Sequence, residues 1–451
     1  MVESQDIIIA ENINTPAQQL RELADKTSDR TVLAAIARNP NTPIDLIVKL
    51  AGEHLDEIGN NPALSLFLIE NPNFIADIYY NNFGKRNREF SLLKSLPDWF
   101  LKSGYLHSNS KIRAFIAKNK HTPASYLKHL ATDRDDDVRY EVAWNQNTPI
   151  YALEKLADDR DKYVREGVAR NEKISINILE KLADDRECNV RTEVANHKQT
   201  PIRILKKLAC DRDKYVRAAV ASHKQTPICV LEKLGIDADE YVRLVVVENK
   251  NTPVFVLEKL ASDRDKYVRE AVAKNKNTPI NILEKLANDE ELIVRQCARK
   301  QLAVDRNTAI SVLKLCSTDE NESVRWRVAE NINTPVSVLK LLATDEYWGV
   351  RKGVAANIST PVSVLELLAN DEHEYVRSWV AENKNAPSVV LETLAGDRDR
   401  FVKKAVAQNP NTTLSILKML ADDENSSVRL IVHKKIKTIL SAFKFFSMAS
   451  I

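Results

Sequence analysis

"DRDKYVREAVAKNKNTP", residues 263–279, is the stretch on which the reading turns. It sets two Asp and several basic residues around a Tyr, the kind of set an acid–base site would use. Yet "DRDKYVREGVARN" stands at 159–171 and "DRDKYVRAAVASHKQTP" at 211–227. An active site has no use for copies, so the stretch is a building block. The Val-Arg pair inside it marks the period. It occurs at Val138, Val164, Val190, Val216, Val242, Val268 and Val294, and again at Val324, Val350, Val376, Val402 (followed by Lys403) and Val428. Every step is 26 residues except one of 30, between Val294 and Val324. Ile112-Arg113 fits in front, and Val32 stands before Pro43 as Val138 stands before Pro149. A fixed period of this length is the signature of a stacked repeat array.

Each block reads as two short helices. In "TPINILEKLA" (278–287) Thr278 is expected to cap a helix through its hydroxyl, with Pro279 in the first turn. Ile282, Leu283, Leu286 and Ala287 share one face by i,i+4 spacing. In the other element Asp263 or Asp265 is expected to cap, and Tyr267, Val268, Ala271 and Val272 to form a buried stripe. Helices of about ten residues are not stable alone, so each copy must bury its face against its neighbours. The array is therefore a solenoid. Asn275 and Asn277 recur as Asn145 and Asn147, Asn249 and Asn251, Asn331 and Asn333, and Asn383 and Asn385. Asn bonds nearby backbone in turns, which assigns this ladder to the corners between helices.

The pattern VRxxVAxNxNTPxxVLxxLAxD resembles the leucine-rich repeat variant family, over about 97–432 and at 6–50. The resemblance implies an all-α fold in which two-helix repeats, pairing an α-helix with a 3₁₀ or short α-helix, wind into a right-handed superhelical solenoid. The Asp-x4-Val-Arg element, as in Asp159…Val164-Arg165, is similar to the signature of HEAT repeats. One relative carries an iron–sulfur cluster on a Cys-rich N-terminal segment; the first Cys here is Cys188, so no cofactor is carried over. A fold of this kind points weakly to function.

Composition agrees with one long array. The 451 residues include only nine Gly, and the 44% hydrophobic residues are spread evenly. The 66 basic and 63 acidic residues nearly cancel, so no overall field selects nucleic acid or an anionic membrane. Cys188, Cys210, Cys229, Cys297 and Cys316 are far apart, with no CxxC, and read as reduced thiols. The start "MVESQDIIIAENINTP" carries acids where a signal peptide would carry Lys or Arg, and no stretch has about 18 consecutive apolar residues. The expectation is a cytoplasmic protein without a membrane partner.

Three segments depart from the register and divide the chain into 1–53 (N-terminal repeats), 54–96, 97–296 (the regular array), 297–309, 310–432 (a second array) and 433–451. Between Phe67 and Tyr105 lie nine of the 28 aromatics, beside the basic run "GKRNREF"; a better-filled core in degenerate repeats is the expected use. "CARKQLAVDRNTA" (297–309) carries the four extra residues and should lengthen one helix and change the superhelix angle. "HKKIKTILSAFKFF" (433–446) sets Ile436, Ile439, Leu440 and Phe443 at helical spacing, as a capping helix would, with a basic amphipathic partner- or membrane-binding helix as the alternative.

The repeated Arg, with Asp six residues earlier, is expected to form a structural ladder to the Asp of its own or the next repeat. His197 and His223 hold equivalent places, about 8–10 Å apart by helix packing, too far to share a metal with bonds near 2 Å. No GxSxG, HExxH or P-loop is present, and no catalytic residue or metal ligand is assigned. Two surface features change along the array. Lys198, Lys224, Lys250 and Lys276 form a basic stripe; in the later array the same place holds Ile332, Ile358 and Lys384. Arg134, Arg160, Arg186, Arg212 and Arg264 become Glu290, Glu320, Glu346 and Glu372.

Counted from the Val of each pair, Trp348 stands at −2, Trp326 at +2, Trp379 at +3 and Trp144 at +6. The stripe −2, +2, +6 carries Lys162, Glu166 and Arg170 elsewhere, which predicts that it faces solvent. Trp326, Trp348 and Trp379 are therefore expected to form one exposed aromatic strip edged by Arg327 and Lys352. The function this supports is a non-enzymatic scaffold that binds another macromolecule, foremost a protein, along an extended groove. The alternatives are a HEAT-like nucleic-acid binder, with a DNA-repair glycosylase as one form, and a HEAT-like lyase acting on a protein-bound pigment.

Overall fold

The computed structural model describes residues 5–84 and 95–448, with side chains to 440. Among the described residues every element is helical. Contacts divide the chain into two units, residues 1–230 and 231–451, with the border inside the short helix Ile228–Leu234. The 297–309 segment lies within the second unit.

In both units a seven-residue helix alternates with a nine-residue one, as in Ile176–Leu182 followed by Cys188–Asn196, and Val336–Leu342 followed by Trp348–Ala356. Consecutive nine-residue helices pack directly against one another, while consecutive seven-residue helices barely touch. The core lies between the two rows. Val164, Val168 and Ala169 are fully buried from the long helix, and Ile178, Leu179 and Leu182 from the short one. Burying one such aliphatic side chain contributes about 1.5–3 kcal/mol, which is what holds helices too short to stand alone.

The caps differ from expectation in an instructive way. Asp265 does cap its helix, accepting from the N–H groups of Tyr267 and Val268 at 2.9 and 3.1 Å. Asp263 is needed elsewhere, as the partner of Arg243 in the preceding repeat. Thr278 does not cap the helix that follows it. Its buried hydroxyl donates backwards, to the carbonyl of Val272 at 2.7 Å, and Pro279 itself holds the extended position before the helix, φ −65° and ψ 157°. With no hydrogen on the proline nitrogen, the hydroxyl serves better by satisfying a carbonyl the long helix has left open. Thr148 and Thr360 do the same.

Tyr267 is a second correction. It is 58% exposed rather than buried, because it lies one residue before the core Val and points away from it. Tyr163, Tyr215 and Tyr375 share this place and are likewise exposed.

Two ladders tie repeat to repeat. Arg139 donates from Nε and Nη2 to both carboxylate oxygens of Asp159, at 2.5 and 2.9 Å, and from Nη1 to the Asp133 carbonyl at 2.8 Å. The carboxylate therefore belongs to the next repeat and the carbonyl to its own. Asn383 repeats the idea with an amide. Its Nδ2 donates to the carbonyls of Ala355 and Asn357, one repeat back, while its Oδ1 accepts from Asn385 N–H at the corner.

The four extra residues do lengthen one helix, Leu292–Val304, to 13 residues. Four residues are about one turn, so the same face returns to the core, with Val294, Ala298 and Leu302 buried. The Arg role is divided between residues one turn apart. Arg295 bonds the Asp289 carbonyl at 2.6 Å, and Arg299 reaches Asp319 at 2.8 Å. Ala298-Arg299 stands 26 residues before Val324-Arg325, so the regular step resumes inside the helix.

Most of the described residues of the aromatic segment's rings are at least partly buried, while Tyr80 is exposed. Phe74 and Phe100 are fully buried, and Phe83 packs on Phe115 with ring centres 5.2 Å apart. The helix Ile44–Gly59 runs through residue 53 as one element kinked at His54. Of the basic run, Lys85–Phe90 lie outside the described residues. At the other end, the helix Ser426–Met448 continues past the usual corner. Ile436 and Ile439 pack against the core, whereas Leu440 is exposed; the Phe443 side chain lies outside the described residues. Lys435 donates to the Asn409 carbonyl, the bond the next Asn of the ladder would make. Burial pushes its pKa below the ordinary lysine value.

Candidate functional surface

The repeated charged residues are consumed by the ladders. Desolvation pushes the Asp159 carboxyl up, but Arg139 and the Asp161 N–H outweigh it and hold the group below the usual carboxylate range. Asp133 and Asp211 are held low in the same way. An acid fixed by a bidentate guanidinium is a poor proton carrier.

His197 and His223 replace the ladder Asn. The Nε2 of His197 faces the Asn171 carbonyl at 3.2 Å and its Nδ1 accepts from Gln199 N–H at 3.2 Å. His223 repeats this against the His197 carbonyl and Gln225 N–H. The arrangement requires the neutral ring protonated at Nε2. Among the described residues no group of His, Cys, Asp and Glu is placed to hold a metal. Burial pushes both imidazoles below their ordinary value, against the smaller opposite pull of the accepting carbonyls. A lowered folded-state pKa means that the unfolded chain binds more protons as pH falls. Stability should therefore be complete above about pH 6.5 and decline below it. The double variant His197→Asn/His223→Asn, which keeps a ladder amide, should lose part of that decline, measured as urea midpoints on either side of this pH. An unchanged pH slope would show that these imidazoles do not matter.

The aromatic residues of the second unit are arranged otherwise than as one strip. Trp326 and Trp348 are half-buried and pack on the core, and of the three only Trp379 is exposed, at 37%. Trp348 lies parallel to His373 with centres 4.4 Å apart and meets Tyr375 at 5.7 Å. Its place in the first turn aims it back at the cap of the next repeat. Trp326 lies where a Cβ on Gly353 would come within 3.0 Å of it, with the Arg327 guanidinium 4.6 Å from the ring centre. The ring needs this glycine on the next helix. Trp379 stands apart, with the Lys352 ammonium 5.2 Å from its ring centre. The stripe −2, +2, +6 is thus not solvent-facing throughout, since it borders the next long helix; Glu270 at +2 is only 8% exposed.

In the first unit Trp144 is exposed beside Arg170, 5.3 Å from its ring centre. Lys198 and Lys224 there, and Lys250 and Lys276 in the second unit, are all exposed; Lys198 pairs with Glu172 at 3.1 Å. The exposed tyrosines were missed by periodicity. The signal was present: the position of Tyr163 and Tyr375 is Asp137, Asn189 and Ser323 in other copies, residues that a core would not accept.

These features define an all-α solenoid of 26-residue two-helix repeats. Among solved structures the chain is similar to one described as a leucine-rich repeat variant with a novel repetitive structural motif. The two share 25% identity over 50% of this chain and 87% of that one, with a TM-score of 0.39. It is also similar to Kap95p in a complex with RanGDP (12% identity, 97% and 63% covered, TM-score 0.33) and to importin beta (13%, 96% and 60%, 0.25). The chain spans less than two-thirds of the length of these last two. No family model and no curated protein matches. No helix among the described residues is long and apolar enough to cross a membrane.

Proposed function

We propose that the chain is a non-enzymatic cytoplasmic scaffold that captures another protein on the long-helix surface of residues 320–380. The observation that carries this reading is the exposed pair Tyr375 and Trp379, one turn apart on the helix Glu374–Glu382, with Lys352 against the indole. Exposed aromatic rings beside a cation are the composition in which binding energy concentrates, and Trp379 leaves 37% of its surface open to a partner. The nucleic-acid reading is weaker, because the lysine stripe is interleaved with acids such as Glu172. The glycosylase and lyase readings find no support in the repeated acids, which are locked in ion pairs.

A photo-reactive side chain placed at Trp379 should form a covalent adduct with a single protein from the native host. The same group at Val362, exposed on a short helix of the same unit, should not. Equal labelling at both positions, or none at Trp379, would count against the surface.

A further inference from the structure

The switch from Arg to Glu four residues before the core Val is not used by the surface above. Arg134, Arg160, Arg186 and Arg212 lie in the first unit and Glu290, Glu320, Glu346 and Glu372 in the second, where Arg264 and Arg398 hold the same position at either end of the glutamates; all are exposed. Some members of each row are tied down by bonds of the array. Arg134 donates from Nη2 to the carbonyl of Ser108, and Arg212 from Nη2 to that of Arg186, each one repeat back. The glutamates are held from the other side. Ladder residues Arg269, Arg325 and Arg351 donate to one oxygen of Glu290, Glu346 and Glu372 at 3.5, 3.3 and 3.2 Å. Their side chains nevertheless remain 85%, 89% and 87% exposed. Lys162 and Lys214 stand near the Arg side and Glu291, Glu322 and Glu374 near the Glu side, while Asp136, Asp161 and Asp213 are interleaved with the arginines.

We infer that the chain associates with a second copy of itself, the arginine row of one meeting the glutamate row of the other. The argument is charge complementarity at a common pitch. Successive long helices pack about 8–10 Å apart, and this repeat sets that spacing in both rows. A second copy therefore offers Glu320, Glu346 and Glu372 at the 26-residue interval of the arginine row, with Glu290 one turn out of step. One exposed ion pair contributes about 0–1 kcal/mol, so association needs the whole row and must be sensitive to salt. Neither row includes Trp379, Tyr375 or Lys352, although Glu320, Glu346 and Glu372 fall within residues 320–380, so the arginine variant is the one that separates this inference from the capture surface.

Sedimentation of the full chain tests it. Self-association should appear at about 0.1 M salt and vanish at about 1 M, as the screening length falls from about 10 to 3 Å. Arg186→Glu/Arg212→Glu alone, and Glu320→Lys/Glu346→Lys alone, should each sediment as monomers. Mixed in equal amounts, the two should regain a complex, because the acidified positions 186 and 212 of one can meet the basic positions 320 and 346 of the other. Should the glutamate variant fail to fold, the arginine variant must still lose association while keeping its circular dichroism and its adduct at the Trp379 position. A wild-type chain that stays monomeric at low salt overturns the inference, as does association that survives the reversals or a mixture that forms no complex. A monomer that instead retards short duplex DNA through the arginine row would assign that row to nucleic acid.

Discussion

Replacing Arg139 with Ala should destabilise the first unit by about 3–5 kcal/mol, the cost of leaving a buried carboxylate without its partner. Arg139 and Asp159 keep 8% of their side-chain surface exposed, so water cannot take over the lost bonds. The substitution orphans Asp159 in the next repeat and the Asp133 carbonyl in its own. Both ends of the damage fall at one junction. In a solenoid stability is the sum of repeats and nearest-neighbour junctions, so denaturation should lose its single sharp transition as the array parts there. The control is Arg160→Ala on the exposed row, expected within about 0.5 kcal/mol of wild type. The double variant Arg139→Met/Asp159→Leu should recover much of the loss, since removing both charges removes the desolvation cost. Acid should act like Arg139→Ala. The lowered Asp159 pKa means that the folded chain holds fewer protons, so this stability is full above the ordinary aspartate value of about 3.9 and disappears as pH falls further. Equal urea midpoints for Arg139→Ala and wild type would remove the ladder from the account of the fold.

The period alone carried the fold, because a step of 26 residues leaves few ways to bury Val138, Val164 and Val190 in equivalent places. It also identified Arg139 and Asp159 as structural, since a ladder is the use for a repeated ion pair. What it could not fix was direction. Asp263 stands before Arg269 in the sequence, yet its carboxylate serves Arg243, one repeat earlier. Thr278 precedes a helix and looks like its cap, yet its hydroxyl is drawn to the helix before. Both follow from contacts between copies, which a reading within one copy does not contain. The 30-residue step illustrates the same limit: the marker Val294-Arg295 hid Ala298-Arg299, which restores the register because four residues make nearly one turn.

The tryptophans show why the candidate surface was less legible than the fold. Helical offsets state which residues share a stripe, but the exposure of that stripe depends on the next repeat. Gly353 opens a seat for Trp326, and His373 offers a flat face to Trp348. The first is a substitution of Gly at a position where other copies hold Ala219 or Glu193, and its meaning appears only once the two helices are side by side.

That difference predicts how the three residues separate. Trp379→Ser should cost about 0.5–1.5 kcal/mol of stability, because the ring is 37% exposed and its remaining surface covers the array. It should weaken partner capture by about 2 kcal/mol or more, a factor of roughly 30, as loss of a central aromatic anchor does. Lys352→Ala should weaken capture less, since its ammonium only borders the ring, and its effect should shrink in salt. Trp326→Ser should behave in the opposite sense. It empties the space over Gly353 and strips Arg327 of the ring it stacks on, costing stability by about 1–3 kcal/mol, less than a fully buried aromatic would. Trp348→Ser should fall between the two, because it breaks a stack with His373 that is part core and part surface. Changing all three together would abolish capture through either cause and decide nothing, so the single variants carry the test. If Trp379→Ser captured its partner as well as the parent, or if Trp326→Ser lost capture with its stability intact, the capture surface would have to be placed elsewhere on the array.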